Sequence, residues 1–135
     1  MNFEPVGRTK EGELYMKFHK PFNIVERIQL LQRWILVHSF AYYELNSNVV
    51  SDFQYDANAI QLAELKKQYP DEFEQSRYFD YFHDYCSEED GTVNTSGFDL
   101  LERVKKLDKE LYRYLHMDAA NALDQKRLRG VYDVQ

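Results

Sequence analysis

The sequence predicts a mainly α-helical single domain built on an antiparallel helix pair, and three observations carry that expectation. Five Gly and three Pro in 135 residues leave few backbone breaks, which favours long helices with short connections. Apolar residues recur at three- and four-residue intervals over long stretches. Two stretches with helix-start chemistry, Asn23–Glu26 and Ser51–Gln54, are spaced so that one helix ends just before the next begins. The length suits one domain, 1–135, with an arm or short hairpin at 1–22, the helix pair at 23–70 and additional helices at 71–135.

Residues 1–22 carry the weakest pattern. Gly12-Glu-Leu-Tyr-Met-Lys-Phe-His19 alternates in part, which fits a small hairpin or an extended arm. The first strong helix follows Pro21-Phe22. Asn23 and Glu26 have capping-box spacing, and Ile24, Ile28, Leu31, Ile35, His38, Tyr42 and Leu45 step along one face. Leu30, Trp34 and Val37 widen that face, and Asn46-Ser-Asn48 supplies turn chemistry at its end. Ser51 opens a second helix with Gln54 placed for another capping box; Phe53, Ala57, Ile60 and Leu65 are its expected buried side. Pro70 interrupts this pattern. Residues 71–85, rich in acids and aromatics, read as a short helix and irregular chain, and Ser87–Gly97 reads as a polar loop. A long helix is expected from about Phe98, with Leu100, Leu101, Val104, Leu107, Leu111, Tyr114 and Leu115 as its stripe. Asp118 is the expected cap of a last helix that stops at Gly130.

Composition excludes several function classes. A net charge of −6, with a thin basic cluster at Lys126, Arg127 and Arg129, argues against direct nucleic-acid binding. No apolar run approaches a membrane span, and the N-terminus lacks signal-peptide chemistry, so a cytoplasmic protein is expected. The single cysteine, Cys86, permits no internal disulfide. His19, His38, His83 and His116 are too scattered for a zinc site. Asp80-Tyr-Phe-His83-Asp84 reads as an aromatic surface segment. Eleven Tyr and nine Phe exceed the ordinary needs of a small helical core, and the surplus points to a cleft or an interface.

The chemistry concentrates at the junction of the first two helices. Asp52, Tyr55 and Asp56 share one surface in the first turns of the second helix, and a tight turn brings Tyr42 and Tyr43 back beside them. Tyrosine faces stack on flat heterocycles, and a cationic ring adds roughly 0.5–2 kcal/mol. Carboxylates accept hydrogen bonds from ribose hydroxyls or face a pyridinium charge. A phosphate needs help from helix amides or a basic residue. Dipole-satisfying acids and packing tyrosines would produce the same pattern without a ligand.

Tyr42-Tyr43, Leu45-Asn46, Val50-Ser51-Asp52-Phe53-Gln54-Tyr55-Asp56 and Tyr69-Pro70-Asp71 add a resemblance. From about Val25 to Pro70 the chain resembles the small N-terminal domain, called Ia, of bacterial NAD-dependent DNA ligases. That domain carries a Tyr-Tyr-like pair, a variable turn, Ser-Asp-x-x-Tyr-Asp, a helix and a Pro-Glu-like ending. Asn46 stands where the ligases usually have Asp, and Asn48-Val49 replaces a Pro-Glu-like pair. The resemblance implies that NAD or nicotinamide mononucleotide is bound, with Tyr42, Tyr43, Asp52, Tyr55 and Asp56 as the cofactor-binding residues. It also implies that ligation is absent from this chain alone, because no Lys-x-Asp-Gly motif occurs. Lys106-Leu-Asp-Lys109 lacks the glycine and is expected inside an amphipathic helix. The expected function is therefore a stand-alone nicotinamide-nucleotide binder, of a kind found in phages and mobile elements. The alternative is a protein-interaction or inhibitor module acting on a host protein, and a separate nucleotidyltransferase is a further candidate partner. The glycine-punctuated Asp90–Phe98 loop is a candidate cover for the site.

Overall fold

The computed structural model describes residues 23–133, so the expected arm or hairpin at 1–22 lies outside the described residues. The helices are α1 (Ile24–Glu44), α2 (Asp52–Gln68), α3 (Pro70–Glu74), α4 (Phe79–Phe82), α5 (Gly97–Leu107) and α6 (Lys109–Asp133). Among the described residues there is no sheet, and extended pairing is limited to an isolated bridge between Ser87 and Val93. The mainly α fold follows the sparse Gly and Pro content.

α1 is the element on which the rest is assembled; α2, α3, α5 and α6 all pack against it. Its start is the full capping box: Asn23 Oδ1 accepts from Glu26 N at 2.8 Å, and Glu26 Oε1 accepts from Asn23 N at 3.2 Å. α2 runs back along α1. Tyr55 of α2 meets Ser39 near the end of α1, whereas beyond α2 Ser76 and Arg77 meet Gln32 and Gln29 in its first half. Ser51 caps α2 by accepting from Gln54 N at 3.0 Å, the forward half of the expected box. Pro70 sits in the first turn of α3, where its missing N–H costs nothing.

The core joins Ile28, Ile35, Leu36 and Phe40 of α1 to Leu62 of α2 and Phe73 of α3. Phe82, Tyr85, Leu100, Leu101, Val104 and Leu115 complete it. Each such side chain contributes about 1.5–3 kcal/mol by burial. A polar strut crosses the core: buried Gln32 donates to Ser76 Oγ at 3.0 Å, and Ser76 Oγ donates to Phe73 O at 2.6 Å. This strut fixes α3 against α1.

Several sequence expectations need correction. On α1, Leu30 and Tyr42 are exposed, and Leu36, Phe40 and Ala41 take the buried places. On α2, Phe53, Ala57 and Ile60 face outward, and the seam is Ala59, Leu62, Ala63 and Leu65. The small side chains of Ala59 and Ala63 occupy the contact face, while Tyr55 bonds to Ser39 and sets the rotation of the helix. Tyr81 and Phe82 are core residues, so the Asp80–Asp84 segment is not an aromatic surface. The break in the C-terminal helices falls at Asp108, not Asp118. Asp108 Oδ1 accepts from Leu111 N at 3.0 Å and starts α6, whereas Asp118 lies within α6 and pairs with Arg33 at 2.6 Å. Leu107 is 65% exposed, and α6 continues through Gly130 to Asp133.

Candidate functional site

The end of α1 is shaped by a left-handed residue. Leu45 N donates to Ala41 O at 3.2 Å and Ser47 N to the same carbonyl at 3.0 Å. Asn46, between them, has φ 55°. Asparagine tolerates that conformation better than most side chains, so the chain leaves α1 sharply and reaches Ser51 within a few residues. The turn and the two helix ends enclose a cavity of about 230 Å³.

All five site residues expected from the sequence line this cavity: Tyr42, Tyr43, Asp52, Tyr55 and Asp56. Tyr42 and Tyr43 are about half exposed and meet edge to face, with centroids 4.8 Å apart and planes at 90°. Tyr43 is buttressed on its far side by Phe98, with centroids 5.7 Å apart. Asp52 and Asp56 are exposed at the mouth, and among the described residues neither carboxylate forms an ion pair or a side-chain hydrogen bond. Their acceptor capacity is therefore open. Tyr55 is held most firmly. Its hydroxyl lies 2.7 Å from Ser39 Oγ, and its ring sits 6.0 Å from that of Trp34. Burial raises the Tyr55 pKa; Tyr43 and Asp56 add to this effect, and the Ser39 bond opposes it. The phenol thus remains neutral and available for hydrogen bonding.

Three contributors were missed from sequence. His38 lines the cavity with its ring tilted 46° from that of Trp34, centroids 4.3 Å apart, and burial lowers its pKa, so the imidazole is neutral at pH 7. Its Nδ1 is buried without a hydrogen-bond partner among the described residues. In the sequence it was legible only as a member of the apolar stripe. Ser39, the partner of Tyr55, carried no signal beyond being a small polar residue. Gly97 is the third. A Cβ at this position would lie 2.3 Å from Ser39 Oγ and 2.8 Å from Tyr55 OH, so the start of α5 presses directly on the wall of the site. The Ser96-Gly97 pair at the end of a polar loop was its sequence trace, with Ser96 accepting from Asp99 N as the cap.

The preceding loop does not line the cavity. It folds on itself: Asn94 accepts from Cys86 N at 2.8 Å and donates to Asp84 O at 3.0 Å, and Gly91 takes φ 93° at the tip. The downstream end of that connection, Gly97 and Phe98, reaches the site. Among the described residues no group of three or more His, Cys, Asp or Glu is placed to hold a metal, and no helix is long and apolar enough to cross a membrane.

The arrangement therefore offers two tyrosine faces, a neutral phenol and imidazole, and two open carboxylates, and among the described residues no Lys or Arg lines it. That chemistry favours a flat, positively charged ring with attached hydroxyls. Comparison with known sequences agrees. Residues 22–76 match the DNA ligase-like, N-terminal NAD+-binding domain. The matched segment contains α1, the turn, α2 and α3, hence every residue that lines the cavity. A DNA ligase of Porphyromonas gingivalis is 44% identical over 45 residues, 33% of this chain and 7% of the ligase. One from Petrotoga mobilis is 41% identical over 51 residues, 38% of this chain and 8% of the ligase. One from Pseudothermotoga lettingae is 25% identical over 119 residues, covering 82% of this chain and 17% of the ligase. The chain thus spans a small fraction of the length of these ligases. No solved structure matches it.

Proposed function

We propose that this chain binds nicotinamide mononucleotide, free or as one half of NAD, at the α1–α2 junction, and that it does not seal DNA by itself. The observation that carries the reading is the convergence of Tyr42, Tyr43, Asp52, Tyr55 and Asp56 on one cavity, with both carboxylates unpaired among the described residues. The tyrosine faces receive the cationic ring, Asp56 and Asp52 accept from the ribose hydroxyls or face the ring charge, and the neutral His38 adds no repulsion. A cavity of about 230 Å³ lies below the roughly 300–1,000 Å³ of a drug-sized pocket, which favours half of the dinucleotide over the whole. The absence of ligation rests on the missing Lys-x-Asp-Gly motif. The near match, Lys106-Leu-Asp-Lys109, straddles the α5–α6 break, and its Asp108 is committed to capping α6.

Calorimetric titration with nicotinamide mononucleotide, NAD and AMP tests this reading on the wild type, Tyr42→Ala and Asp56→Ala. Binding of the mononucleotide and of NAD, but not of AMP, is expected, with each substitution costing about tenfold or more in affinity. Absence of heat at millimolar mononucleotide with folded protein would refute it.

A second reading rests on the outer face of α2. Phe53 is 83% exposed and Ile60 40% exposed, with Ala57 between them on the same helical face. A protein partner covering this stripe would make the chain an interaction module. A complex that forms with a partner, survives Tyr42→Ala and is lost on Phe53→Asp would support that role over the nucleotide.

A further inference from the structure

We infer that Lys126 of α6, outside the ligase-like segment, reads the phosphate of the nucleotide and so gives the site its preference for a mononucleotide over a nucleoside. This inference rests on the nicotinamide reading above and specifies what that site selects. The cavity itself poses the problem. Among the described residues its lining includes two aspartates and no Lys or Arg, so no side chain within residues 38–56 offers a phosphate a full positive charge. Asp52 and Asp56 stand together on α2, and a phosphate is repelled from that side. The turn that precedes α2 contains Asn48, which also lines the cavity. At that turn Lys126 Nζ donates to the backbone carbonyl of Asn48. An ammonium group has three donors, and this bond uses one. Among the described residues Lys126 forms no ion pair, unlike its neighbour Arg127, which pairs with Asp124 at 3.6 Å. The lysine therefore brings a full positive charge, with two free donors, to the turn at Asn48 that lines the cavity. The bond to Asn48 also orders the flexible side chain before the ligand arrives.

This placement makes the site bipolar, with carboxylates facing the pyridinium and ribose and an ammonium facing the phosphate. The ligase-like segment supplies the first half and the C-terminal helix the second.

The test compares nicotinamide mononucleotide with nicotinamide riboside, which differs by the phosphate alone, on the full chain. Quenching of Trp34, the single tryptophan, 6.0 Å from Tyr55, provides the readout. The wild type is expected to bind the mononucleotide about tenfold tighter than the riboside, as one charge-assisted phosphate contact provides. Lys126→Met should abolish that preference while leaving riboside affinity unchanged, and Lys126→Arg should restore most of it. The preference should also shrink as salt is raised. A preference that persists in Lys126→Met, or is absent from the wild type, overturns the inference. An equal loss of both ligands in Lys126→Met also overturns it, by showing that the lysine supports the turn. If neither ligand binds the wild type, the nicotinamide reading fails and takes this inference with it. Intact riboside binding with no phosphate effect refutes the role of Lys126 alone.

Discussion

Two regions of this molecule are built from the same residue types and use them in opposite ways. The segment from Phe73 to Tyr85 and the junction from Tyr42 to Asp56 are both dense in tyrosines and acids. In the first, the tyrosine hydroxyls and Asp84 are satisfied within the protein. Arg33 donates to Tyr78 OH at 2.9 Å, and Tyr85 OH donates to Ala59 O at 3.0 Å. Tyr81 OH lies 3.4 Å from Asp108, with its pKa pushed up to about 12 by burial and by that carboxylate. Arg103 grips Asp84 through both carboxylate oxygens. In the second region, Tyr55 alone has a partner for its hydroxyl among the described residues; Tyr42 and Tyr43 are about half exposed, and Asp52 and Asp56 form no ion pair or side-chain hydrogen bond there. An aromatic-acidic cluster becomes core when its tips find protein partners, and a candidate binding surface when they do not.

The sharpest way to break this comparison is to delete one aromatic from each region. Phe82 is fully buried, and Phe82→Ala is expected to cost about 3–5 kcal/mol of stability. Tyr42 is 51% exposed, and Tyr42→Ala should cost under about 1 kcal/mol while removing nucleotide binding. Urea denaturation of both variants measures the contrast. Equal losses would mean that the junction is ordinary core.

Gly97 couples the regions, because α5 closes over the core and also touches the junction. Gly97→Ala places a methyl carbon against Ser39 and Tyr55, with the closest approach at 2.3 Å. A loss of about 1–3 kcal/mol is expected, together with weaker ligand binding as the Tyr55 hydroxyl is displaced. A variant that keeps wild-type stability and affinity would show that α5 adjusts freely and does not brace the site.

These positions also show how far the chain could be read before folding. The start of α1 was legible because capping is a local chemistry of four residues, and Asn23 and Glu26 bond as their spacing suggests. The five junction residues were legible as a set because helix spacing and a short turn suffice to bring them together. The buried face of α2 was not. Phe53 and Ile60 are the more hydrophobic choice, but helix approach selected Ala59 and Ala63, and small residues carry little hydrophobic signal. The Asp108 break was hidden because Leu107 and Leu111 continue the apolar period across it, although Leu107 is exposed. Gly97, Ser39 and Lys126 act only through long-range contacts, which no local pattern encodes.

The one anchored tyrosine of the junction gives a smaller test. Tyr55→Phe removes the bond to Ser39 but keeps the ring against Trp34. The expected loss is about 0.5–1.5 kcal/mol, the net worth of one part-buried hydrogen bond. Thermal unfolding measures it. A neutral result would leave burial of the ring as the whole of its anchoring.

The smallest effect separates the two regions by pH. The Arg103 guanidinium donates to Asp84 at 2.8 and 3.0 Å, and this bonding, with its charge, holds the Asp84 carboxyl below the ordinary carboxylate range against a modest desolvation cost. A carboxyl whose folded-state pKa is depressed stabilises the fold above its unfolded value, near 4, and loses that contribution as pH falls through the folded value. Both side chains are partly exposed, so solvent screening limits the pair to about 0.2–1 kcal/mol. The stability advantage of the wild type over Asp84→Asn should therefore be constant from neutral pH down to about 4 and close below it. Asp56→Asn, which removes no ion pair or side-chain hydrogen bond among the described residues, should instead leave stability at neutral pH unchanged and weaken nucleotide binding. A neutral-pH stability loss for Asp56→Asn as large as that for Asp84→Asn would erase the distinction between a committed carboxylate and an open one.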